Sequence, residues 1–264
     1  MKNFYDTIKQ NVRIKLESEQ SQDIVLSEQL ALKMNLPAPS SLVGDVHCYF
    51  VYHNAHLQLF IQDNGEFLGP LVVDFLSGPV FYRYQNNRHI NQPLARAAGI
   101  KKGLRPSICD VTAGLGGDSF VLAALGCHVT MTERSPLIWA LLENGIKCAL
   151  SHPEIGNIFK ERVALHFDDG ISFINSSDLK YDTIYLDPMY PQQKKSALNK
   201  LQMRLLRQLV GSDEDSTILL QEARANAGKR VVVKRPAGAP FLEQPSFVIK
   251  GKSSRFDVYL SPHL

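Results

Sequence analysis

The stretch SICDVTAGLGGDSFVLAALGCHVTM, residues 107–131, decides the fold. It begins with a short apolar run, SICDV, that leads into Gly114, Gly116 and Gly117. A helical pattern follows over 118–126, and a second apolar run, CHVTM, closes the stretch. A strand, a glycine-rich turn, a helix and another strand form one βαβ unit. This order predicts two parallel strands whose carboxyl ends lie at the same edge of a sheet.

The same alternation continues along the chain. Ser135 and Pro136 begin a helical pattern over 135–150, as an N-cap and a proline in the first turn. Further apolar runs and helical patterns follow at 162–167, 171–175, 181–186, 194–210, 216–227 and 229–236. The last two runs, 245–251 and 255–261, predict a hairpin. The pattern therefore predicts a mainly parallel sheet, covered on both faces, that ends in an antiparallel pair.

The first part of the chain has a different pattern, typical of antiparallel strands. Two apolar runs, VHCYFVY (46–52) and AHLQLFIQ (55–62), predict a hairpin, and DNG at 63–65 predicts a turn after it. Another strand is predicted for PLVVDF (70–75) and a helix for SEQLALKMN (27–35). We therefore predict two domains: a small α+β appendage over 1–92 and a Rossmann-like domain over 93–264.

Composition limits the classes of function. Of the 264 residues 44% are hydrophobic and 21% charged, as in soluble globular proteins. No apolar run approaches the ~20 residues that span a bilayer, and the start lacks the apolar core of a signal peptide, so we expect a cytoplasmic protein without a membrane partner. The 4 cysteines include no CxxC pair, which predicts reduced thiols and no metal site. The net charge of +3 permits a polyanionic partner, and basic clusters beside the candidate loops favour nucleic acid.

The glycine loop indicates a nucleotide-like cofactor, because glycines let a ligand approach the backbone where parallel strands end. A dinucleotide fingerprint would need a third glycine where Ser119 stands. Asp118, at the start of the helix, would repel a pyrophosphate, whereas it suits a cation. S-adenosylmethionine carries a sulfonium and an ammonium group, so charge favours it over NAD, with S-adenosylhomocysteine as the product. The alternative that Asp118 only caps the helix stays open.

Two further strand ends carry acidic residues. Glu133 closes the second strand, where a carboxylate accepts hydrogen bonds from the ribose hydroxyls of a cofactor. Arg134 is the next residue, and we expect its side chain to lie along the adenosine of that cofactor. Asp168 and Asp169 follow the third strand. Either carboxylate can accept from the amino group of adenine, although a turn role for Asp-Asp-Gly is an equal alternative.

The fourth strand ends in YLDPMY, residues 185–190. Asp187 there points into the same crevice and is suited to accept a hydrogen bond from an exocyclic amine, which holds the nitrogen towards a methyl donor. Pro188 stiffens the turn, and Tyr190 offers an aromatic face for stacking a base taken out of its helix. We predict Asp187, Pro188 and Tyr190 as the catalytic residues, with Asp187 also beside the cofactor.

DPMY resembles the (Asn/Asp)-Pro-Pro-(Tyr/Phe) motif of amino-directed nucleic-acid methyltransferases, with Met189 in place of the second proline. DVTAGLGGDSFVLAALG, MTERSP, YLDPMYPQQKKSALNK and KRVVVKRP together resemble the bacterial RsmJ family over roughly residues 65–262. The resemblance implies a class I fold with a seven-stranded sheet and methylation, by S-adenosylmethionine, of guanine N2 near the 3′ end of 16S rRNA.

The resemblance also assigns roles to particular residues. It places Asp187 at the acidic position of the (Asn/Asp)-Pro-Pro-(Tyr/Phe) motif. It places six further residues in segments that bind the cofactor: Gly117, Asp118, Glu133, Arg134, Asp168 and Asp169. It implies that a basic helix guides the RNA backbone, with Lys194, Lys195, Lys200 and Arg204 as the candidates. The motif itself leaves adenine N6 of RNA or DNA as an alternative target. A non-enzymatic RNA-binding module is a further alternative, but it would not need acidic residues on successive strand ends.

Overall fold

A computed structural model describes residues 12–17, 20–40, 47–63, 65–86, 88–189, 215–252 and 254–261. These residues form two compact units, which divide between Val73 and Asp74. The sequence instead placed the boundary after residue 92. The difference arises because a helix over 78–86 belongs to the larger unit, where its Tyr84 ring lies 5.4 Å from the ring of Phe120.

The smaller unit contains a sheet of order β1-β2-β3-β4. Its described elements are β1 (Val12–Ile14), α1 (Ser21–Met34), β2 (Cys48–His53), β3 (His56–Asp63) and β4 (Glu66–Leu71). The predicted hairpin is confirmed, since β2 and β3 pair antiparallel. The strand predicted over 70–75 is wrong. Asp63 already pairs with Glu66, so the strand begins earlier than predicted, and β4 ends at Leu71.

The larger unit is built on a seven-stranded sheet of order β10-β11-β9-β8-β5-β6-β7. Its strands are β5 (Ile108–Asp110), β6 (Val129–Glu133), β7 (Val163–Phe167), β8 (Thr183–Leu186), β9 (Arg230–Pro236), β10 (Phe247–Lys250) and β11 (Ser254–Leu260). The pairs from β7 to β9 are parallel, whereas β11 runs antiparallel to both β9 and β10. The predicted fold is therefore confirmed.

The helices of the larger unit connect these strands. They are α2 (Gly78–Asn86), α3 (Pro93–Ala97), α4 (Gly117–Ala124), α5 (Pro136–Ala149), α6 (Pro153–Arg162), α7 (Gly170–Ser176) and α8 (Ser216–Asn226). Ser135 caps α5 as predicted, because its side chain accepts from the N–H of Ile138. Residues 171–175 have a strand-like composition but form α7, since the Asp169 carboxylate accepts from the first free N–H groups of that helix.

Side chains alternate between the two faces of each central strand. Ile184 and Leu186 of β8 join Val231 and Val233 of β9 in a buried cluster with residues of α7 and α8. Tyr185, between them in sequence, therefore points to the opposite face, on which α4 lies.

The order of strands fixes where a ligand can bind. After β5 the chain adds β6 and β7 on one side and then returns to place β8 on the other side of β5. Ligands of open α/β sheets bind outside the carboxyl ends of the strands at such a reversal. The residues that follow β5, β6 and β8 are therefore the candidates for a functional site.

Candidate active site

The glycine loop after β5 has a backbone that side chains would disturb. Gly114 and Gly116 have φ values of +55° and +73°. A Cβ on Gly116 would lie 2.7 Å from Cδ1 of Leu142, which is completely buried. Around Gly114 the space is open, with only the Thr112 carbonyl oxygen at 3.9 Å. Gly116 thus serves packing, whereas Gly114 leaves room for a ligand beside the backbone.

Glu133 ties the glycine loop to the next strand end. One of its carboxylate oxygens accepts from the N–H of Gly114 at 2.9 Å, and the other from the N–H of Ser135 at 2.7 Å. The side chain is largely buried. Glu133 therefore fixes the distance between the loop and the start of α5. Each oxygen has a second lone pair, so the predicted contact with ribose hydroxyls is compatible with these bonds.

A second carboxylate lies buried below the loop. Asp110, the last residue of β5, accepts from the N–H of Thr112 at 3.1 Å and from the hydroxyl of Ser119. Burial raises the pKa of Asp110 to about 7, and the negative charges of Asp118 and Asp187 act in the same direction, against the two hydrogen bonds. Asp110 joins the loop to α4, and its charge depends on pH in the neutral range.

Asp118 is the centre of an ionic network. Its Oδ1 accepts from Nη1 of Arg83 at 2.7 Å. Its Oδ2 accepts from the Tyr185 hydroxyl at 2.7 Å and from Nζ of Lys234 at 2.8 Å. The Arg83 guanidinium also donates to the side chain of Gln92 at 3.0 Å. Residues from α2, α4, β8 and β9 thus converge on one carboxylate.

The ionisation of these groups follows from their partners. Burial alone would raise the pKa of Asp118, but Lys234 and Arg83 overcome it and lower that pKa to about 2. Burial and the neighbouring carboxylates raise the pKa of Tyr185 well above its ordinary value, so it stays a hydroxyl donor. The carboxylates also hold the pKa of Lys234 above its ordinary value, although burial opposes them. The charge of Asp118 is compensated within the protein, and its role beside a cationic cofactor stays a prediction.

Asp187 is held at the end of β8. Its backbone N–H donates to Oγ1 of Thr112 at 2.6 Å, which joins this strand end to the glycine loop. Its Oδ2 accepts from Nζ of Lys234 at 2.8 Å. The Asp187 side chain is 41% exposed, compared with 14% for Asp118. Asp187 is thus the most exposed side chain of the network.

The other predicted residues divide into two groups. Arg134 pairs with Asp215 at 2.8 Å and lies 3.7 Å from Asp169. Asp169 caps α7, and Asp168 accepts from the N–H of Asp169, so both carboxylates take part in the turn that was the alternative to adenine binding. Five other predicted residues lie outside the part of the chain that the structure describes: Tyr190, Lys194, Lys195, Lys200 and Arg204.

Sequence reasoning missed four members of the site. Arg83, Tyr185 and Lys234 were not predicted, although each of them contacts Asp118. Asp110, which accepts from Thr112 and Ser119 on either side of the predicted glycines, was not predicted either. For Lys234 a signal existed, because a lysine directly after the buried run VVV of β9 lies at the edge where β8 also ends. The contacts of Arg83 and Tyr185 with Asp118 join residues far apart in the chain, so no local pattern reveals them.

None of the helices described is long and apolar enough to cross a membrane. Within the described ranges, no group of three or more His, Cys, Asp or Glu side chains is arranged to hold a metal ion.

Comparisons with known proteins show the family to which the chain is similar. Residues 29–261 match the family described as "Putative SAM-dependent methyltransferase". The protein named ribosomal RNA small subunit methyltransferase J of Desulfotalea psychrophila is 42% identical, over 96% of this chain and 99% of its own length. Its namesake in Shewanella sediminis is 46% identical, over 83% of this chain and 86% of its own. The crystal structure of a SAM-dependent methyltransferase from Neisseria gonorrhoeae superposes with a TM-score of 0.73 at 33% identity, covering 96% of this chain and 97% of that one.

Proposed function

This chain belongs to the family of S-adenosylmethionine-dependent methyltransferases, and from that premise we propose that it methylates the RNA of the small ribosomal subunit. The proposed target atom is the exocyclic N2 of a guanine near the 3′ end of 16S rRNA. Relatives that match nearly the whole chain and carry the name ribosomal RNA small subunit methyltransferase J support the substrate class. The choice of guanine N2 rests on the resemblance of the motifs to the RsmJ family. The proposed place of action is the cytoplasm.

The observation that carries the proposal is the position of Asp187. It follows β8 at the reversal of strand order, is 41% exposed, and is joined through Thr112 to the glycine loop. An acceptor at this position is suited to an N–H donor of a substrate rather than to a structural role alone. Pro188, which limits the backbone after Asp187, fits the same purpose.

The residues around the loop fit the cofactor. The open space beside Gly114 allows a ligand to approach the backbone, and Glu133 presents carboxylate oxygens at the end of the neighbouring strand. Gly114, Gly116, Gly117 and Glu133 would hold the cofactor, with Asp118, Arg134, Asp168 and Asp169 as further candidates. When bound, S-adenosylmethionine supplies a methyl group on a positively charged sulfur.

Asp187 would act by orientation. Its carboxylate accepts one N–H of the target amine and a backbone carbonyl of the turn accepts the other, which directs the lone pair of the nitrogen towards the methyl group. No strong base is needed in advance, because the nitrogen becomes acidic as it gains the methyl group and then loses a proton to solvent. The positive charge that develops on nitrogen is favoured by the nearby carboxylate.

Mass mapping of ribosomal RNA tests the proposal. We expect small-subunit RNA from cells lacking this protein to lose one N2-methylated guanine near its 3′ end, and purified protein with S-adenosylmethionine to restore it. Loss of an N6-methylated adenine instead would favour the alternative target. An unchanged modification pattern, together with RNA binding but no binding of S-adenosylhomocysteine, would favour the non-enzymatic module.

A further inference from the structure

Lys234 connects a buried carboxylate with the exposed one at the candidate site. Its Nζ lies 2.8 Å from Oδ2 of Asp118 and 2.8 Å from Oδ2 of Asp187. One ammonium group therefore donates to both acids. The two distances are those of strong, charge-assisted hydrogen bonds.

The sheet places Lys234 there. Strands β8 and β9 are parallel, and their last paired residues are Leu186 and Val233. Lys234 and Asp187 each follow by one residue, on neighbouring strands and at the same edge of the sheet. Because Leu186 and Val233 point into the core beneath α7 and α8, the next residue of each strand points to the opposite face.

The two ends of this bridge differ in exposure and in partners. Asp118 also accepts from Arg83 and from the buried Tyr185, and its side chain is 14% exposed. It is thus fixed by three donors from three elements. The Asp187 side chain is 41% exposed and lies on the turn that follows β8. Lys234 therefore ties the more exposed carboxylate of Asp187 to the carboxylate of Asp118, which three donors hold.

We infer that Lys234 is a positioning residue, which holds the carboxylate of Asp187 in the orientation that receives the target amine. This inference rests on the proposed function and deepens it. Lys234 acts through Asp187 and does not itself touch the substrate. The network contains two carboxylates, Asp118 and Asp187, and two cations, Arg83 and Lys234, so the ammonium also keeps the two acids from repelling each other.

A series of substitutions separates this role from a contribution to folding. Lys234→Arg keeps a cation and donors, Lys234→Gln keeps a shorter neutral donor, and Lys234→Met removes both. Without Lys234, Asp118 still receives hydrogen bonds from Arg83 and Tyr185, so we expect the fold to persist. If Lys234→Met does not fold, the comparison of Lys234→Arg with Lys234→Gln decides.

The assay is steady-state methylation of small subunits from cells lacking the protein, with calorimetric titration of S-adenosylhomocysteine in parallel. We expect Lys234→Met to lower kcat by roughly 10- to 100-fold, because small displacements of a group that orients the substrate have effects of this size. The KM for the subunit and the Kd for S-adenosylhomocysteine should stay within roughly 3-fold, since neither depends on the orientation of Asp187. Lys234→Arg should recover most of kcat, and Lys234→Gln less.

Lys229 provides the matched control. It lies just before the same strand and pairs with Asp182, which precedes β8, at 2.8 Å, so it makes a similar ion pair at the opposite edge of the sheet. Lys229→Met should leave kcat unchanged. The inference is overturned if Lys234→Met keeps wild-type kcat, or if it loses kcat and cofactor affinity in parallel, which would assign Lys234 to the cofactor site. If the wild-type protein itself transfers no methyl group, the proposed function has failed, and the two failures are thereby distinguished.

Discussion

Asp110 should make the stability of the protein fall as the pH rises from about 4 to about 7. Its pKa is about 7 in the folded chain, compared with an ordinary value of 3.8 for an aspartate side chain. Between these values the unfolded chain has released the proton that the folded chain still holds, so stability decreases by about 1.4 kcal/mol per pH unit. Above pH 7 both states are ionised and the loss is complete. Over the range from about pH 5 to about pH 8 the loss from this group is therefore about 3 kcal/mol.

Asp110→Asn imitates the protonated side chain. The amide oxygen accepts from the N–H of Thr112, and the amide nitrogen donates to the hydroxyl of Ser119, so both contacts of Asp110 persist without a buried charge. The free energy of unfolding of Asp110→Asn, measured relative to that of wild type, should therefore increase by about 3 kcal/mol between about pH 5 and about pH 8. Urea unfolding at a series of pH values measures this difference directly.

The control removes the same charge from the surface. Asp178 is exposed, so Asp178→Asn changes the net charge without affecting the buried site. The difference in free energy of unfolding between Asp178→Asn and wild type should vary little over the same pH range. A difference between wild type and Asp110→Asn that stays constant with pH would refute the reasoning, because it would mean that Asp110 titrates alike in the folded and unfolded states.

Three other substitutions test separate parts of the site. Gly116→Ala should destabilise the protein by about 2 kcal/mol or more, measurable as a fall in Tm, because the new Cβ would lie 2.7 Å from the buried Leu142 in a backbone of positive φ. Glu133→Ala should raise the Kd for S-adenosylhomocysteine by roughly 10-fold or more in calorimetry, since a charge-assisted hydrogen bond contributes about 1.5–3 kcal/mol, and an unchanged Kd would remove Glu133 from the cofactor site. Changing Lys194 and Lys195 to Glu should weaken binding of a 16S rRNA fragment and flatten its salt dependence by about one counterion per lysine, while equal affinities across a salt series would show that neither meets a phosphate.

The sequence predicted those features that depend on local patterns. Strand and helix periods, the cap at Ser135 and the hairpin at the end of the chain are local, and the order of elements then determines a parallel sheet with an antiparallel edge. Glu133 could be predicted as part of the site because an acidic residue at the end of a strand needs no knowledge of distant contacts. Its bonds to Gly114 and Ser135 join it to the loop and helix expected beside it.

The ionic network could not be predicted in the same way. Asp118, Tyr185 and Lys234 are widely separated in sequence and meet only because α4 packs on the face of β8 and β9 opposite to α7 and α8. Considered alone, Asp118 had two interpretations, a helix cap or a partner for a cationic ligand. Its contacts with Arg83 and Lys234 are a third, which requires the tertiary structure. The ion pair of Arg83 with Asp118 likewise gives this arginine a role within the protein that no local pattern indicates.

The role of Asp187 in methyl transfer is the central claim, and one comparison tests it most directly. Wild-type protein and Asp187→Ala are given S-adenosylmethionine and unmethylated small subunits, and the methyl groups transferred are counted while the affinity for S-adenosylhomocysteine is measured by calorimetry. We expect Asp187→Ala to abolish transfer and to leave that affinity within a few-fold, with Asp187→Asn keeping partial activity because its amide oxygen still accepts. Turnover by Asp187→Ala at the wild-type rate would contradict the assignment of this carboxylate to the reacting amine.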